Sequence, residues 1–125
     1  MSKRSYADIL RLYNKAWSLR EKGLRELAHG NPESTKILVR ALIEMLRALA
    51  LYAGRSLYGV EDPVYLASIL LDEGLIDPNT YSLIVEVEVS RGENIDALLG
   101  VLEIIEKKIK SIDPYIGEQS RLFRY

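Results

Sequence analysis

Apolar residues recur along this chain at three- and four-residue intervals, in five stretches separated by short polar breaks. That spacing is the mark of amphipathic helices. The breaks carry their own punctuation. All four prolines follow Asn or Asp, at Asn31-Pro32, Asp62-Pro63, Asp77-Pro78 and Asp113-Pro114. An Asx oxygen accepts a bond from an orphan N–H of the first turn, and a proline at the next position has no N–H to leave unpaired. Gly30, Gly74 and Gly92 supply the matching stops.

These marks predict helices over about Ser5–His29, Pro32 to Tyr52 or Leu57, Pro63–Glu73, Pro78–Arg91 and Ile95–Ile112, followed by a tail from Pro114 to Tyr125. In the first, Ile9, Leu12, Tyr13, Ala16, Trp17, Leu24 and Leu27 share one face. Arg4, Arg11, Lys15, Lys22 and His29 line the other. The second is apolar round most of its circumference, broken only by a narrow stripe of Lys36, Arg40, Glu44 and Arg47, which predicts the centre of a bundle. The third turns Leu66, Ile69 and Leu70 inward. The fourth ends in Val85-Glu-Val-Glu-Val, which alternates like a strand but has no partner strand, so it reads as helix. In the fifth, Leu98, Val101, Leu102, Ile105, Ile109 and Ile112 face in, and Asp96, Glu103, Glu106, Lys107 and Lys110 face out. Short breaks between long helices imply antiparallel neighbours. The expected fold is all-α, an antiparallel four- or five-helix up-and-down bundle, with residues 1–113 as the bundle and 114–125 as a C-terminal tail.

At 125 residues the chain is one domain that can build a core without staples. It has no cysteine, which excludes disulfides, thiolate metal sites and a cysteine nucleophile. Apolar runs such as Ala48–Leu51 are too short to cross a bilayer, and the N-terminal residues lack the apolar stretch of a secretory signal. The expected location is the cytoplasm. A single Gln and four Asn suit a heat-adapted source.

The net charge of −1 conceals a division. Residues 1–59 carry eleven Lys/Arg against five acids, residues 60–106 one Arg against eleven acids, and the rest is again basic. Two readings follow: complementary helices packed within one chain, or opposite faces meeting in a homodimer or partner complex.

The helix order resembles the HEPN superfamily (higher eukaryotes and prokaryotes nucleotide-binding domain) over about residues 5–112. The resemblance is carried by Ala16-Trp17 through Gly30, by the Ala/Leu-rich Leu38–Ala53, and by Tyr65-Leu-Ala-Ser-Ile-Leu-Leu-Asp-Glu-Gly-Leu-Ile, which is similar to a stretch of small prokaryotic members. It implies a HEPN-like helical bundle that dimerises and pairs with a minimal nucleotidyltransferase in a toxin–antitoxin system. In active members it implies a metal-independent RNase with an Arg-x4–6-His motif between the fourth and fifth helices. Arg stabilises phosphate charge there and His moves a proton. This chain departs from that motif. After Arg91 comes Gly92-Glu93-Asn94 and the closing helix, with no His. No catalytic residue is therefore carried over. The resemblance points to a non-catalytic interaction module; the alternatives are a divergent endoribonuclease using Arg91 and a nucleotide- or RNA-binding protein using the basic first helix.

Candidate binding residues are few. Arg20 projects from the apolar face of the first helix, where a guanidinium requires an exit to water, a paired acid of the later helices or a contact across a dimer interface. Arg4, Arg11, Lys15 and Lys22 form a basic stripe that would follow a phosphate backbone, although a pI near 5.9 favours a solvated face. Arg121, Phe123 and Arg124 mix cations and an aromatic ring, suited to stacking on bases or docking on the bundle or a partner. His29, the sole histidine, sits at a helix C-terminus, where a cation suits the dipole. The acids Asp72, Glu73, Asp77, Glu86, Glu88 and Glu93 include no Glu-x-x-His element, and the glycines form no phosphate loop, so no metal and no cofactor are expected.

Overall fold

The computed structural model describes residues 3–122, and the side chains from Tyr6's neighbour Ser5 onward to Leu122. Its elements are α1 (Lys3–Ala28), α2 (Ser34–Tyr52), α3 (Pro63–Asp72), α4 (Pro78–Val89), α5 (Ile95–Ile112) and α6 (Ile116–Arg121). The described residues form helices joined by turns and loops, with no strand, and no helix among them is long and apolar enough to cross a membrane.

The helix starts obey the Asx rule in three places. Asp62 accepts from the Val64 N–H at 2.9 Å, Asp77 from Thr80 at 2.7 Å and Asn94 from Ala97 at 3.1 Å. Proline occupies the first turn of α3 and α4. Asn31 instead closes a turn by accepting from the Glu33 N–H, and α2 begins at Ser34 rather than at Pro32. The alternating Val85–Val89 tail is helical. Asp113 departs furthest from the rule. Its carboxylate turns inward to accept from the hydroxyls of Tyr6, at 2.8 Å, and Tyr52, at 2.9 Å. Beyond it the expected tail forms α6, which buries Ile116 and receives Asn14 on the Ser120 carbonyl at 3.1 Å.

α2 is the central helix, packed by α1, α3 and α5. Leu38, Leu42, Met45, Leu46 and Leu49 are buried along it, together with Ala41, Ala48 and Ala50. α1 runs antiparallel to it: Gly23 meets Leu38, and Lys15 meets Glu44. A Cβ on Gly23 would lie 2.6 Å from Leu38 Cγ and Cδ2, so the two backbones approach where there is no side chain. α1 and α5 are bridged by long side chains: Tyr13 donates to Glu106, and Arg20 Nη1 reaches the same carboxylate at 3.0 Å.

Three residues depart from the inside–outside pattern. Leu24 and Ile112, expected inside, are exposed near the ends of their helices. Glu106, expected outside, is turned to α1 and largely covered, because Tyr13, Arg20 and Lys110 all reach it.

Candidate functional site

The polar stripe of α2 leads to the most developed polar site among the described residues. Lys36, Arg40, Glu44 and Arg47 lie at four- and three-residue intervals and so share a face. Glu44 is only 1% exposed and Arg47 6%. A charge so enclosed persists only where it is paired and hydrogen-bonded. The Glu44 carboxylate receives Arg40 at 3.0 Å, Arg47 at 3.0 Å and Lys15, from α1, at 3.7 Å.

The cover over this stripe is the segment 53–62 between α2 and α3. Gly54 and Gly59 take positive φ, 74° and 84°, which lets the chain leave α2 and fold back over it. Leu57 enters the core, and Arg47 Nε donates to the Val60 carbonyl at 3.1 Å. Glu61 then presents its carboxylate to both α2 arginines, at 3.2 Å from Arg47 and in direct contact with Arg40. The Arg40 hydrogen bond, with further help from Arg47 and against the cost of partial burial, holds the Glu61 carboxyl below its usual range.

Between α1, α2 and this segment lies a cleft of about 410 Å³. Its polar wall is Arg11, Lys15, Arg40 and Arg47 with Asp8, Glu44 and Glu61; its apolar wall is Leu12, Leu51 and Leu57. Tyr58 stands at the mouth, 90% exposed. The volume falls in the range of small-ligand sites. On the far side of Arg40 a shallower groove of about 290 Å³ is lined by Lys36, Val39, Ile43, Glu88, Arg91 and Gly92. Arg40 lines both hollows. Arg91 is held at φ 56°, the left-handed region that non-glycine residues seldom occupy, by the turn that ends α4.

A second polar cluster lies across α1. Burial, reinforced by the hydrogen bond to Asp113, pushes the Tyr6 hydroxyl up to about 12 and raises Tyr52 further. These groups tie α1, α2 and the end of α5 together, and none of them lines the cleft.

The candidate residues separate accordingly. Arg11 and Lys15 come together at the cleft; Arg11 also holds Asp8 at 3.3 Å. Lys22 and Arg121 are exposed outside it. Arg20 takes the paired option, on Glu106. Arg91 lies in the adjoining groove. The side chain of Arg4, together with Phe123 and Arg124, lies outside the described residues. His29 donates from Nδ1 to the Arg25 carbonyl at 2.8 Å, within its own helix end. Among the acids, Glu73 pairs with Arg55, Asp77 caps α4 and Glu86 accepts from Asn94. No group of three metal-ligating side chains forms among the described residues. Glu44, Arg40, Arg47 and Glu61 were not singled out from sequence as a site. The α2 stripe was visible there, but its lid was not.

Comparison with protein families, with characterised proteins and with solved structures finds no match for this chain.

Proposed function

We propose that this chain is a non-catalytic, HEPN-like interaction module that binds through the cation-rich cleft between α1 and α2. In this reading it self-associates or pairs with a minimal nucleotidyltransferase in a toxin–antitoxin-type system. The observation that carries it is the cleft itself: four cations from two helices meet around a concave space with apolar walls. The position of the imidazole adds support. His29 is engaged with its own helix end, while the groove around Arg91 is lined by lysine, arginine, glutamate and aliphatic side chains. Cationic side chains orient an anionic partner, but none of these arginines or lysines moves a proton at neutral pH as a histidine does.

Light scattering after size-exclusion chromatography reads self-association, and co-purification with a nucleotidyltransferase encoded beside the gene reads the paired complex. The expected result is a dimer or a stoichiometric complex, lost in Arg11→Glu/Lys15→Glu. A monomer that takes no such partner overturns the proposal.

The enzymatic alternative is favoured by one feature, the left-handed backbone of Arg91, since such strain is often kept at functional positions. Incubation with total RNA tests it. Cleavage that disappears in Arg91→Ala would establish a nuclease and reverse the order of the two readings.

A further inference from the structure

We infer that the cleft is an oxyanion site and that Glu61 is its internal occupant, a carboxylate that a ligand's carboxylate or phosphoryl group displaces. The inference rests on the cleft being the binding surface proposed above, and it adds the class of ligand and the means of control.

The geometry of Glu61 points to displacement. Arg40 and Arg47 lie seven residues apart on one face of α2, and both aim guanidinium nitrogens at the Glu61 carboxylate. Planar guanidinium groups are matched to carboxylate and phosphate oxygens, so whatever fits there in place of Glu61 has the same chemistry. With Glu61 seated, the four cations of the cleft face three carboxylates. With Glu61 withdrawn they face Asp8 and Glu44 alone, and the net charge of the cleft rises from one positive charge to two, which a dianion would neutralise.

Withdrawal does not dismantle the core. The Glu61 side chain is 58% exposed. The segment that carries it is anchored separately, by Leu57 in the core and by the Val60 carbonyl on Arg47. Glu44 differs: it is enclosed and shared by three cations, so it belongs to the floor of the site. Lys15, about half exposed and 3.7 Å from Glu44, and Arg11, largely exposed and paired with Asp8, hold partners that a ligand's oxygens can share. The interleaved Asp8 and Glu44 suit a compact anion better than an extended polyanion, which would meet both carboxylates along its length.

The test is a titration of the full chain with inorganic phosphate and, separately, with succinate, followed by amide NMR shifts. Glu61→Gln, which removes the charge at constant size, is expected to bind one or both anions about tenfold more tightly than the native chain. Glu61→Gln/Lys15→Gln is expected to lose that gain. Tightening for phosphate alone assigns a phosphoryl ligand, for succinate alone a carboxylate, and for both a site open to either. In the native chain, saturating anion is expected to shift the Gly59, Val60 and Glu61 amides as the loop carboxylate leaves, a readout that needs no variant. No tightening in Glu61→Gln, tightening that Lys15→Gln leaves intact, or native amides at 59–61 that do not move would each overturn the inference. If it fails while Arg11→Glu/Lys15→Glu still abolishes partner binding, the interaction-module reading stands without it.

Discussion

On the α5 side of α1, carboxylates meet mainly tyrosine hydroxyls: Asp113 takes Tyr6 and Tyr52, and Glu106 takes Tyr13 with Arg20 and Lys110. On the α2 side, Glu44 and Glu61 are met by arginine and lysine, and one of the two carboxylates arrives on a loop. Hydroxyls are neutral and are carried here on α1 and α2, so they fasten the elements of the α5 seam without offering a cation to an incoming anion. Guanidinium groups keep their charge whatever they face. A loop carboxylate among them can therefore be exchanged for another anion, whereas a tyrosine-bound carboxylate between helices has nothing to exchange with. The first arrangement suits a joint and the second a site.

The largest expected effect separates the two regions by what remains when one carboxylate is removed. Glu44→Leu removes the enclosed partner of Arg47, leaving it only the half-exposed Glu61 as counter-charge, and is expected to cost about 3 kcal/mol in urea denaturation. Glu44→Leu/Arg47→Met should recover most of that loss. A smaller cost for Glu44→Leu than for any seam variant would break the distinction. Next is Asp113→Ala, which deletes two hydrogen bonds at about 1 kcal/mol each and is expected to destabilise by about 2 kcal/mol. Phosphate titration of the same variant should match the native chain. A change in anion affinity would mean that the joint and the site are coupled.

Opposite ends of the pH scale sharpen the same contrast. The Glu61 carboxyl is held low, so its contribution to stability is complete above its ordinary pKa of 4.5 and is lost as pH falls through the lower folded value. Glu61→Gln should flatten that acid limb in thermal melts. Tyr6 is held high, near 12 against an ordinary 10, so its contribution is complete below 10 and is lost as pH rises toward 12. Phenolate absorbance should report that delay, and Asp113→Asn should advance the titration. The smallest effect belongs to the groove. Arg91→Gly relieves the left-handed backbone and is expected to add about 1 kcal/mol.

Much of the fold was legible because its signals are local. Asp62-Pro63 and Asp77-Pro78 start helices through an oxygen and a missing N–H only a few positions apart, and the apolar circumference of α2 announces a central helix. Leu24 and Ile112 misled because periodicity gives direction but not how far a neighbouring helix extends. α6 was hidden because six residues carry too little periodicity, and only Ile116 and Ser120 of them are buried against the bundle. The site was the least legible part. Arg11 and Lys15 could be named from their stripe. Glu61, however, lies 21 positions from Arg40, and no periodic rule relates a loop to the helix it covers. Asp113 resembled its sister Asx-Pro pairs, yet two tyrosines at sequence separations of 107 and 61 claim its oxygens.

Gly23 has a bearing on all of this, although it touches neither cluster. At that crossing the α1 backbone rests on Leu38, and any slide or roll of one helix over the other would drive the main chain into that leucine or lift off it. The crossing therefore acts as an index mark between two rods. Eight residues back along α1 and six on along α2 stand Lys15 and Glu44, so the absence of one methyl group sets the alignment of cation to carboxylate at a distance of two helical turns.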